Sequence, residues 1–194
     1  MHVRRLAWCV AAFLAGLPPA LADSTSVNFE IAHDRDPDDF DIPKDMKYLA
    51  GVSHGFDNGV TVGASFQYTD PRTGKTDSQN LEATIGYRFK VNGIFSVTGS
   101  AGVGGRFSDA DDFPYYVLRA GADLVVTQRT TWNAISYRYR NAFDTDNNYE
   151  TPQLGTGLSF KLDEANSIST RIYRGWKEGE ADETGLALGF RHAF

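Results

Sequence analysis

The sequence predicts an all-β protein: a closed, antiparallel, up-and-down barrel of about ten strands that crosses a membrane, with eight strands as the nearest alternative. Three observations predict it. Apolar residues alternate with small or polar ones at period two through most of the chain, which gives each segment one greasy face. The segments run for about ten to twelve residues, matching a tilted bilayer crossing of ~9–11. The connections alternate as well, longer and polar after odd segments and tight after even ones, and an even strand count puts both ends of the barrel chain on one side.

Residues 1–22 stand apart from this pattern. His2, Arg4 and Arg5 make a charged start, Leu6 to Leu17 is apolar, and Ala20-Leu21-Ala22 is a small-x-small cleavage site. This is the pattern of an export signal cut after Ala22, and the apolar run is too short for the roughly 20 residues of a spanning helix. The domains expected are therefore 1–22 as signal peptide and 23–194 as one barrel. The barrel segment contains no cysteine, so no disulfide framework is available to it and sheet closure must supply the stability. The whole chain carries a formal charge of −6, and removing Arg4 and Arg5 makes it −8. Net acidity argues against nucleic acid as partner.

The elements follow in order. Val27, Phe29, Ile31 and His33 share a face in a first strand near 25–34, and the polar, proline-containing stretch 35–44 interrupts it. A second strand, 45–57, carries Met46, Tyr48, Ala50, Val52, His54 and Phe56, and Asn58-Gly59 turns the chain into a third, 59–70, with Val60, Val62, Ala64, Phe66 and Tyr68. Strands 77–90 and 93–108 flank Asn92-Gly93, and the acidic stretch 108–114 leads to a sixth strand, 115–126. In the seventh, 131–143, Trp132 falls on the polar parity, which predicts a bulge or a rim position. An acidic, Asn-rich loop over 143–151 precedes strand 151–162; strand 166–176 and a loop over 177–183 lead to the terminal strand. That strand, 184–194, has Leu186, Leu188, Phe190, His192 and Phe194 on one parity and Gly185, Ala187, Gly189, Arg191 and Ala193 on the other, and closure requires it to pair with Val27 to Asp34. Aromatics gather toward strand ends, as interfacial girdles do.

The terminal strand ending on Phe194 resembles the closing strand of bacterial outer-membrane β-barrels. That resemblance implies residence in the outer membrane of a Gram-negative envelope, contact with outer-membrane lipid and lipopolysaccharide, and recognition of Phe190, His192 and Phe194 by the barrel assembly machinery. A monomer is expected.

The polar parity carries the functional signal. Lys47, Arg88, Lys90, Arg106, Arg119, Arg138, Arg140, Lys161, Arg171 and Arg191 are predicted to face the lumen, against Glu30, Glu82 and Asp123 as counter-charges. Three carboxylates cannot neutralise ten cations, so part of the lumen is expected to face water. One reading makes these side chains the hydrogen-bonded filling of a small barrel, since ~8 strands leave room only for side chains. The other makes them a basic path for small anionic solutes. In residue types and architecture the second resembles the small monomeric porins that pass acidic oligosaccharides. A third reading is a surface-binding, adhesin-type barrel working through the acidic loops at 34–44, 108–114 and 143–151.

No enzyme, metal or cofactor is expected. Ser53 and His54 are adjacent and so point to opposite faces of a strand, which leaves no nucleophile–base pair of the kind a lipid-modifying barrel would need. Gly74-Lys75-Thr76 lacks the earlier glycine of a phosphate loop, because Thr69 stands there. Asp144, Asp146 and Asn148 have calcium-loop spacing, but Tyr149 replaces the required glycine and Gly155 the closing glutamate.

Overall fold

The computed structural model describes residues 24–72 and 76–194. The predicted signal peptide and its cleavage site lie outside the described residues. Ten antiparallel strands form one closed barrel: β1 (Ser24–Arg35), β2 (Pro43–Gly55), β3 (Val60–Pro71), β4 (Ser78–Lys90), β5 (Phe95–Ser108), β6 (Phe113–Val125), β7 (Thr130–Ala142), β8 (Gln153–Lys161), β9 (Asn166–Lys177) and β10 (Glu180–Ala193). Each strand pairs with its sequence neighbour, and β10 closes on β1 with Phe29 opposite Phe190 and Ala32 opposite Ala187. Following the register from Glu30 one way reaches β6 at Phe113, and the other way at Val125, the stagger that strand tilt requires of a closed barrel.

Period-two alternation decides what faces where. The outward parity keeps Ile31, Ile85, Val103, Ile172, Leu186 and Leu188 exposed, with Leu188 at 62%. A water-soluble sandwich would bury such a face, whereas a bilayer solvates it. The buried side chains point inward instead: Ser26, Asp34, Asn80, Tyr115 and Val117 are fully enclosed. The core of this protein is therefore its lumen.

The two ends differ. At the end that carries both termini, side chains cap the turns: Asn58 Oδ1 accepts from the Val60 amide, Asn92 Oδ1 from Ile94 and Phe95, Thr127 Oγ1 from Arg129 and Thr130, and Asp163 Oδ1 from Ala165 and Asn166. Asn58-Gly59 makes a type I turn closed by Gly59 at φ 88°. At the opposite end, termed outer because both termini are expected on the periplasmic side, the predicted contrast of loop lengths holds only in part. The connections 36–42 and 143–152 are long, but 109–112 is no longer than the turns at the other end. The predicted loop 177–183 is instead a tight hairpin at Glu178 and Gly179, both with positive φ (55° and 86°), the geometry of a type I′ turn. The pattern hid it because the register of β10 shifts between Ala181 and Glu183, which breaks the alternation.

Trp132 is outside, as a bulge would place it. The pairing of β7 with β8 slips between Asn133 and Ser136, so Trp132 turns outward opposite Leu158 and its indole donates to Thr156 Oγ1 at 2.9 Å.

Candidate functional site

Among the described residues, three cavities follow one another along the lumen. The outer one, about 350 Å³, is lined by Lys44, Arg106, Tyr149, Trp176 and Glu183 among others. The middle one, about 420 Å³, is lined by Glu30, Leu49, Arg119, Asp123 and Arg171. The inner one, about 530 Å³, is lined by Ser26, Asn28, Arg88, Lys90 and Arg191. Arg138 and Arg140 belong to the walls of both the outer and the middle cavities, so the layer they occupy is the partition between them.

That layer is a belt of paired charges. Glu82 on β4, 2% exposed, receives Arg119 of β6, Arg140 of β7 at 2.5 Å and the Tyr115 hydroxyl at 2.9 Å. Arg140 also stacks over the Tyr115 ring at 5.6 Å. A carboxylate taken out of water is tolerable only with such a set of donors. On the other wall, Lys47 lies 2.5 Å from both Asp34 and Glu183, and the Tyr173 hydroxyl donates to Asp34. Gln153 donates to Glu183 at 3.0 Å and accepts from Arg171 at 3.1 Å, and Arg171 reaches Glu30 at 2.6 Å and covers the Tyr173 ring at 4.6 Å. Arg138 stands between the two clusters on the sheet, opposite Arg119 of β6 and Gln153 of β8.

Two glycines leave the room this belt needs. A Cβ at Gly104 would stand 2.7 Å from Cζ of Tyr115, and one at Gly185 would collide with the Tyr173 ring and Asp34. Asp34, Asp45 and Glu183 bring carboxylate oxygens within 4.8 Å of one another, a donor set that suits a divalent cation. The Lys47 ammonium already contacts two of the three, so the charge they would offer a metal is taken up by the protein.

The inner mouth is built differently. Arg88 pairs with Asp123 at 3.6 Å and its side chain stays 48% exposed. Lys90 and Arg191 line the same cavity, with Asp57 in its wall. Lys161 is at the inner end of β8 opposite Ser167. Arg106, at the outer end, lies 5.5 Å from the ring centre of Tyr149.

The register thus puts Lys47, Arg119, Arg138, Arg140, Arg171, Glu30 and Glu82 in one layer, and Arg88, Arg191 and Asp123 toward the inner end. The expectation of three counter-charges is corrected, because Asp34, Asp45 and Glu183 also face the lumen. Asp34 closes the predicted first strand and Glu183 the predicted loop before the last one; extending the inward parity of Glu30 and Ala32 forward, and that of Gly185 back, reaches both. Tyr115 was missed because it begins a strand at its acidic, proline-flanked edge.

At the terminal strand, Phe190 and Phe194 are exposed and outward. His192 Nδ1 donates to Asn166 Oδ1 at 2.9 Å and the ring meets Phe194 edge-on at 4.7 Å, and the Phe194 amide donates to the Thr25 carbonyl at 2.9 Å. The last residue is thereby stitched to β1.

By sequence the chain matches no protein-family profile and no curated protein. Its fold is similar to those of solved outer-membrane barrels. The KdgM porin in complex with disordered oligogalacturonate is 16% identical, over 87% of this chain and 99% of that one, with a TM-score of 0.50. The β domain of the Bordetella autotransporter Brka is 8% identical, over 87% and 98%, with a TM-score of 0.52. These likenesses show the fold, a closed β-barrel, and the exposed apolar outer face agrees with it.

Proposed function

We propose that this barrel is a small porin-like channel of the outer membrane that favours small anionic solutes. The observation that carries this reading is the inner mouth, where Arg88, Lys90 and Arg191 face one water-accessible cavity of about 530 Å³ against Asp57 in its wall and Asp123 beside Arg88. A low-dielectric tube with an excess of one charge at its mouth concentrates the opposite ion. Deeper in, Arg119 and Arg171 keep 31% and 25% of their side chains accessible in the middle cavity, which extends the basic track toward the belt. A carboxylated or phosphorylated small molecule is the class of solute these guanidiniums would hold.

Planar-bilayer recording of the refolded barrel under a salt gradient tests the reading. The expected reversal potential is that of an anion-preferring pore, and a cation-preferring one would sink the proposal. The belt favours a second reading, a structural barrel filled by its own ion pairs, and the absence of any conductance would select it. Lipopolysaccharide contact, assembly through Phe190, His192 and Phe194, and a monomeric state belong to the same proposal. Removal of Phe194 should lower the amount of barrel in the outer membrane more than the stability of the refolded protein.

A further inference from the structure

The β7–β8 connection, 143–152, is the longest between described strands, and it bends into the outer mouth. Hydrogen bonds and ring contacts hold it there. The Thr151 amide donates to the Arg140 carbonyl at 2.9 Å, and Asn147 Nδ2 donates to Asp111 Oδ2 of the neighbouring outer turn at 3.0 Å. Tyr149 packs edge-on against Phe113, 4.9 Å between ring centres, and tilted against Tyr115 at 5.4 Å. Phe113 and Tyr115 are inward residues of β6, and Tyr115 is the residue whose hydroxyl reaches Glu82 in the belt. The loop ring therefore stands directly on the partition of the lumen.

Tyr149 also covers a charge. Arg106 faces the lumen on β5, opposite Phe113, and its guanidinium lies 5.5 Å from the Tyr149 ring centre. Among the described residues no carboxylate lies within ion-pair distance of Arg106. An aromatic face satisfies a cation by its quadrupole and, unlike a carboxylate, leaves the positive charge unneutralised.

We propose that Tyr149 is the residue that sets the size limit of the outer entrance, and that Arg106 beneath it is the charge a solute meets once past it. This rests on the channel reading above and adds the entrance to it. Backbone hydrogen bonds anchor the two ends of the loop, at Phe143 and at Thr151 and Pro152, while its middle is tied to the mouth by the Asn147–Asp111 hydrogen bond and the Tyr149 ring contacts, so the middle forms a displaceable cover where the strand-borne belt does not. Size selection and charge selection are then separable: the first belongs to Tyr149 and the second to Arg106.

The test has two independent readouts. In bilayers, Tyr149→Ala should admit larger polyethylene glycols than the parent and raise conductance, Tyr149→Phe should behave as the parent, and Arg106→Gln should weaken anion preference without changing the size limit. The second readout needs no conduction. Ser78, 3% exposed and in the wall of the outer cavity, is replaced by cysteine and labelled from outside with a negatively charged methanethiosulfonate, measured over the background of the parent protein. Tyr149→Ala should raise the labelling rate roughly tenfold, the factor that about 1.4 kcal/mol of lost ring contact gives. Asn147→Ala, which frees the same loop without touching the rings, should raise it in the same direction and serves if the tyrosine variant fails to fold. An unchanged labelling rate in a folded variant overturns the proposal. A cation-preferring pore that still widens with Tyr149→Ala sinks the anion reading and keeps the entrance assignment.

Discussion

The belt and the inner mouth use the same residue types in the same place, inward-facing arginine and lysine on successive strands, and end in opposite states. In the belt, Arg140 and Glu82 leave 4% and 1% of their side chains exposed at 2.5 Å. At the inner mouth, Arg88 and Asp123 leave 48% and 19% exposed at 3.6 Å. The difference lies in how many partners converge and how well they are enclosed, since both regions pair strands that are not neighbours in the sheet. Glu82 on β4 takes Arg119 and Tyr115 of β6 and Arg140 of β7, and Lys47 on β2 takes Asp34 of β1 and Glu183 of β10, whereas Arg88 on β4 has one loose, half-exposed partner in Asp123 of β6. Buried charge enforces such pairing, while hydrated charge does not. A lumenal cation is thus structural or available to solute according to whether its carboxylate partner is close and enclosed with it.

The largest expected effect breaks the belt. Glu82→Ala leaves Arg119 and Arg140 without their buried counter-charge and should cost about 3–5 kcal/mol in urea unfolding of the barrel refolded into lipid vesicles. The double variant Glu82→Gln with Arg140→Gln should recover part of that loss, and parent-like stability of Glu82→Ala would remove the distinction between the two regions. Overfilling the belt comes next. Gly185→Ala drives a methyl into Tyr173 and Asp34 and should cost about 1–3 kcal/mol, whereas Gly99→Ala, on the outward parity with open space around it, should be neutral.

The inner mouth should respond in function only. Arg88→Ala with Arg191→Ala should change stability by no more than about 0.5 kcal/mol but move the reversal potential toward cations. That shift should shrink as salt approaches 1 M, where the screening length falls to about 3 Å.

The smallest effect concerns a turn. The Asn166 side chain, then the backbone amides of Asn166 and Ala165, hold the Asp163 carboxyl below its ordinary value. A lowered value means that the turn's contribution is complete above the ordinary carboxylate range and disappears as the pH falls through the folded value. The parent should therefore lose more stability on acidification than Asp163→Asn, measured by heat-modified gel mobility across that range. Equal losses would show the cap to be silent.

Much of this was legible in the sequence. Alternation around Val60 to Tyr68, or Leu186 to Phe194, assigns strand and face from residue type alone, because the pleat has a period of two whatever the fold. The slip at Trp132 showed as a parity error. The pattern failed where a bulge breaks parity, between Ala181 and Glu183, and so the Glu178-Gly179 hairpin was read as a loop. Loop residues such as Tyr149 carry no periodicity and could be placed only by their contacts.

Residue order alone specifies the barrel: ten alternating segments, an outward apolar face, and an inward face rich in glycine and cations. Which of those cations are paired is set by the folded barrel. Pairing across the lumen depends on strand stagger and barrel diameter, which bring Glu82 to Arg140 and Lys47 to Glu183, and neither quantity is written in a period-two pattern.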